Sequence, residues 1–304
     1  MDRLLAAAVL ALGVGPLGCG GGGGSGPSFK DPNSVRFSYG TPYVPAGGSA
    51  EASAAAAGES GVGSSSAIQV QGDGDDQAAG EVAGLPNAMA EAAFGWSGGL
   101  ARSVEVARAS VGRRAAAYLA GDVAAASGGW DNDLCWTVDA QSITFEHCTQ
   151  TSTDGTAHEL LSVDGALHRV DGHVWWDVTV GLQASDTSVP SSVTVSDRLR
   201  GDLTFGAGTL DGFEQSDIYL RESSQAQSAT AALTYRADFD AITYTTDAGV
   251  CATGVTGGTL TLKRVWTTVP SGTDLDPGTL TDVALRFSWS GCGVIQVAEG
   301  TPAP

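Results

Sequence analysis

A long apolar run is what the amino terminus lacks: Leu4 to Val14 is built of Leu, Ala, Val and one Gly, well short of the about 20 residues that a membrane-spanning helix needs. Basic charge is scarce as well, with 15 Lys and Arg against 34 Asp and Glu and a net charge of −19. That balance excludes DNA, RNA and anionic lipid headgroups as electrostatic partners, and leaves cationic partners and divalent ions. There are five cysteines and no Cys-x-x-Cys pair among them, so nothing in their spacing favours zinc. Downstream of Trp130 no helical stretch separates the apolar runs. Parallel strands need such crossovers, so any sheet there is antiparallel.

What is present begins with a short start, Met1-Asp2-Arg3, ahead of the Leu4 to Val14 run. The length suits the apolar region of a secretory signal. Pro16-Leu17-Gly18 then places a turn-former and a small residue before Cys19. This segment resembles the bacterial lipoprotein signal. The resemblance implies removal of residues 1–18, a diacylglycerol on the Cys19 thiol and acylation of the new amino terminus. It also implies retention at the outer membrane, since Gly20 stands where an inner-membrane protein of that family commonly has Asp. An ordinary secretory signal with an incidental Cys is the rival. Setting Cys19 aside leaves Cys135, Cys148, Cys251 and Cys292, an even set that an oxidising compartment can pair.

Residues 19–80 are dominated by Gly, Ser and Ala, opening on Gly20 to Gly24, and read as a disordered tether. Asp73-Gly74-Asp75-Asp76 lacks the remaining ligands of a calcium loop and reads as a solvated acidic turn. Residues 81–129 read as helical: Leu100, Val104, Ala107, Val111, Ala115, Tyr118 and Val123 recur at helical spacing, predicting an amphipathic helix over 99–125. Just before it, Gly95-Trp96-Ser97-Gly98-Gly99 matches the Gly-x-Ser-x-Gly elbow of serine hydrolases. That chemistry needs a strand ahead of the turn, whereas Ala88 to Phe94 is Ala-rich and contains Glu91. A Gly-rich hinge with Ser97 as a helix cap is the better reading, and a hydrolase using Ser97 is a remote alternative.

Residues 130–304 alternate with period two. Trp176, Val178, Val180 and Leu182 share one side, as do Val193, Val195, Leu199, Leu203 and Phe205, then Leu233, Tyr235, Ala237 and Phe239, then Val283, Leu285, Phe287 and Trp289. Such strands bury one face. Asp164-Gly165, Asp171-Gly172 and Asp211-Gly212 are hairpin-type turn pairs. The expectation is a mainly β fold: an antiparallel β-meander of about nine to twelve strands. It would form a curved sheet, a sandwich or a half-barrel, packed as one unit with the single amphipathic helix. A hairpin near Gln141 pairs Cys135 with Cys148, and the runs flanked by Cys251 and Cys292 predict the second disulfide.

His147, His158, His168 and His173 lie close together in sequence, with Glu159 and Asp177 nearby. Two His and a carboxylate suit zinc, but no helical His-x-x-x-His spacing fixes them, and no metal or cofactor is expected. Trp175 falls on the polar side between His173 and Asp177. His173, Trp175 and Asp177 are therefore a candidate ligand patch, since an exposed indole can stack on a sugar or a cation. Arg198 and Arg200 with Asp197 and Asp202 read as cross-strand ion pairs. No catalytic residues are expected. The functional expectation is a non-enzymatic, lipid-anchored binding or structural protein of the cell envelope, its partner being an unknown protein, glycan or apolar ligand. The alternatives are a half-barrel carrier of lipid and a membrane-embedded β-barrel.

Overall fold

The computed structural model describes residues 28–70 and 130–304, apart from 133, 140, 171, 187–190, 225–227, 246 and 270–280. They build one open eleven-stranded antiparallel sheet and one helix, α1 (Ala50–Val70). β1 is Phe37–Tyr39, β2 Trp136–Val138, β3 Ser142–Asp154, β4 Ala157–Val170, β5 His173–Asp186, β6 Ser191–Gly206, β7 Thr209–Ser224, β8 Ser228–Tyr244, β9 Val255–Thr268, β10 Val283–Gly291 and β11 Val294–Pro302. β2 to β11 follow one another as an uninterrupted meander, and β1 is appended beyond β11.

The alternation seen in the sequence is the alternation of the sheet. Cross-strand register sets Val178 against Leu199, Leu203 beside Val174, Ala237 against Leu262 and Leu262 against Leu285. One face therefore carries a continuous apolar surface from Ile143 and Val163 to Phe287 and Val297, all wholly buried. Each such side chain contributes about 1.5–3 kcal/mol when taken out of water. A smaller cluster of Leu182, Val195, Ile218, Leu220, Leu233 and Trp266 lies on the same face toward the β5–β6 and β7–β8 turns. Long strands need no helical crossover here, because each pairs antiparallel with the strand that follows it.

Residues 28–70, expected within the tether, instead belong to the fold. Lys30 donates its backbone N–H to Thr267 Oγ1 at 2.7 Å and pairs with Asp282 at 2.6 Å. Asp31 caps the 3-10 turn Pro32–Ser34, whose Asn33 accepts from Lys263 Nζ on the polar face. β1 then pairs with β11, and the Arg286 guanidinium sits 3.7 Å from the centre of the Tyr39 ring. Past the bridge from Tyr43 to Val297 the chain rounds the edge, and α1 lies on the apolar face, where Glu59 accepts from the Trp289 indole at 2.8 Å. This wrap covers the β11 edge, which would otherwise offer unpaired backbone groups to another chain. The helix expected over 99–125, with the rest of 81–129, lies outside the described residues, which resume at Trp130.

Two of the three Asp-Gly pairs are not turns. Only Asp171-Gly172 falls between strands, joining β4 to β5. Gly165 lies inside β4 at φ 120° and Gly212 inside β7 at φ 127°, each so close to the next strand that a Cβ would meet backbone oxygen at 2.1 and 2.0 Å. In each pair the Asp reaches across to a bulged strand: Asp164 Oδ1 accepts from His147 N at 2.6 Å, and Asp211 Oδ1 from Ala241 N at 2.7 Å. His147 and Ala241 are the two described non-Gly residues with positive φ. The pairs thus anchor β-bulges, which bend and twist the strands they interrupt.

Both expected disulfides form, Cys135–Cys148 with its Cα atoms 5.0 Å apart and Cys251–Cys292 at 5.4 Å. The first ties β3 to the chain entering β2. The second joins the β8–β9 connection to the β10–β11 turn.

Candidate functional site

Two arrangements of polar side chains stand out, one on each face. The first is at the β4–β5 turn on the polar face. His168 of β4 stands opposite Trp175 of β5, and alternation puts His173 on the same side two residues earlier. Both imidazoles stack on the indole, with ring centres 5.0 and 4.6 Å away and planes inclined by 16° and 27°. His173 Nε2 lies 2.8 Å from Asp202 Oδ1 on β6. Asp177, the third residue of the expected patch, is turned to β6, where Arg198 Nε donates to it at 2.8 Å and Nη2 donates to its other oxygen. That guanidinium holds the Asp177 carboxyl below the usual carboxylate range.

His173, Trp175 and Asp177 are therefore on one side of β5, as the alternation requires, and each has a partner on a neighbouring strand or on β5 itself. The sequence did not single out the stacking of His168, although its pairing opposite Trp175 follows once the β4–β5 turn is fixed at Asp171-Gly172. The ion pairs also differ from expectation. Arg198 binds Asp177, and Arg200 binds Asp217, whereas Asp197 is on the opposite, apolar face and Asp202 faces His173. The other histidines are elsewhere: His147 is beside Asp164, and His158 is 3.2 Å from Thr153 Oγ1. Among the described residues no three His, Cys, Asp or Glu side chains are grouped to hold a metal ion.

The second arrangement interrupts the apolar face. Ser216, Tyr235 and Arg264 form one cross-strand row over β7, β8 and β9, with Asp197 one row further along. Asp197 accepts from Ser216 Oγ at 2.7 Å, and Arg264 donates to the Thr281 carbonyl at 3.2 Å. Burial pulls the Arg264 guanidinium below its ordinary pKa. In the neighbouring row Glu214 stands between Gly201 and Ala237, with Trp176 and Leu262 beyond them. The Trp176 indole occupies the space over Gly201, where a Cβ would sit 2.1 Å from the ring.

Glu214 is 1% exposed, and neither oxygen of its carboxyl has a hydrogen-bond partner. Desolvation pushes its pKa well above the ordinary value, because an ionised carboxylate there would have neither water nor a donor. The sequence did carry a trace of this row: Glu214 and Ser216 occupy positions that the β7 alternation reserves for apolar residues, in register with Leu210, Ile218 and Leu220.

Ser97, Asp73 to Asp76 and Cys19 lie outside the described residues. Compared with known protein families, with curated proteins and with solved structures, the chain matches none of them.

Proposed function

We propose that this chain is an exported lipoprotein, acylated on Cys19 and held at the outer membrane, whose β domain has a non-enzymatic binding or structural role. The observation that carries the reading is the pairing of Cys135 with Cys148 and of Cys251 with Cys292. Both bonds need an oxidising compartment. They use four of five cysteines and leave out Cys19, the one that directly follows an apolar run and a small residue. The binding surface is the His168, Trp175 and His173 stack with Asp177 and Asp202, where aromatic and acidic groups lie side by side for a glycan or a cationic group.

Buried apolar residues extend across the apolar face from β3 to β11, yet α1, Trp130 and Cys135 are the only described parts from outside the strands that join them. The amphipathic stretch over 99–125, with Leu100, Val104 and Val111 on one side, is suited to cover the remainder of a curved sheet.

Fractionation tests the anchor. Wild-type chain expressed in a Gram-negative host should sediment with the outer membrane and incorporate labelled palmitate, whereas Cys19→Ala should do neither. A soluble, unlabelled wild type removes the reading. A carrier of an apolar ligand is the second reading, and Glu214 favours it as an unpartnered polar group on an apolar face. A fluorescent fatty amine should then bind the wild type and bind Glu214→Leu more weakly.

A further inference from the structure

The anchor's attachment point fixes which end of the domain meets the lipid. Chain entry is held at Lys30, whose backbone and side chain are bonded to Thr267 and Asp282. These residues mark the end of β9 and the approach to β10, at the end of the sheet that also carries the β3–β4, β5–β6 and β7–β8 turns. The β4–β5, β6–β7, β8–β9 and β10–β11 turns are at the opposite end.

Whatever path it follows, the chain from Cys19 to Lys30 reaches at most about 40 Å when fully drawn out. β9 alone covers about 45 Å from one end of the sheet to the other. Inverting the domain on the membrane would therefore need a longer link than this one, even fully extended. Laying it flat would bring a chain of net charge −19 broadly against a surface that is itself commonly anionic.

We infer that the domain stands on the end marked by Thr267 and Asp282 and presents the opposite end, with the His168, Trp175 and His173 stack and the Cys251–Cys292 bridge, away from the lipid. This inference rests on Cys19 being the anchor. It deepens that reading by directing the candidate ligand patch toward partners arriving from the aqueous side or from another surface.

Two labelled forms of the acylated full chain test it: Thr268→Cys, at the exposed end of β9, and Ala207→Cys, in the exposed β6–β7 turn. Each carries a donor fluorophore and is reconstituted into vesicles containing a headgroup-labelled acceptor lipid. Vesicle flotation is measured first. Chain that does not float overturns both the anchor and the orientation. Among chains that float, energy transfer several-fold stronger from position 268 than from 207 is the expected result. Equal transfer, or stronger transfer from 207, overturns the orientation alone. Lengthening the link with a second Gly/Ser segment after Gly26 should erase the difference, and a difference that persists unchanged would show that the link does not set it.

Discussion

At the scale of single residues, Glu214 makes the clearest demand on the fold. Its two carboxyl oxygens have no partner at 1% exposure, so ionising it in place would leave a bare charge among apolar neighbours. The folded-state pKa is raised above the unfolded one. Stability is therefore full below the ordinary glutamate range and falls as pH rises toward the folded-state pKa, because the unfolded chain sheds its proton first. The thermal midpoint of the wild type should drop between about pH 5 and pH 8 by more than that of Glu214→Gln, in which nothing titrates. Glu214→Leu should raise stability at pH 8 by about 1–3 kcal/mol, since it removes an unsatisfied buried polar group. Parallel pH profiles of wild type and Glu214→Gln would contradict this.

The same residue marks where sequence reading stops. Alternation places Glu214 on the apolar face, but whether a carboxylate there finds a cation depends on neighbouring strands, and Arg264 is two strands away in β9. Trp175 was legible because alternation alone sets its side of the sheet. Its stacked histidines were less so, since His168 meets it only through the β4–β5 register.

At the scale of elements, the Asp-Gly pairs show how one dipeptide serves two structures. A hairpin turn and a β-bulge both call for glycine at positive φ and an acceptor that satisfies a displaced backbone N–H, so Asp211-Gly212 and Asp171-Gly172 are alike in sequence. Gly212→Ala should cost about 1–3 kcal/mol, because the added Cβ meets the Asp202 carbonyl in a conformation that L residues avoid. Asp211→Ala should cost about 0.5–1.5 kcal/mol through the lost bond to Ala241 N. Urea unfolding of the two variants checks both figures, and a neutral Gly212→Ala would mean that the bulge is not built as described. α1 is hard to read from the sequence for a different reason. Its alanines favour a helix, but its glycines and serines do not, and without an apolar stripe its packing under Trp289 decides the matter.

At the scale of the whole molecule, the fold is an open meander braced by two covalent ties and one wrapped segment. Cys251–Cys292 encloses a sequence separation of 41 against 13 for Cys135–Cys148. Replacing either pair by Ser should cost about 2–4 kcal/mol, with the larger loss at the longer loop. Denaturation midpoints of the two double variants give the order directly.

What is bonded to Cys19 decides whether this chain is held at a membrane. The deciding measurement is the intact mass of the mature chain purified from membranes. A chain beginning at Cys19 and heavier than its sequence by a diacylglycerol and one further acyl group is the expected result. A mature chain with a free thiol at Cys19, or one cut elsewhere and carrying no lipid, would contradict the account.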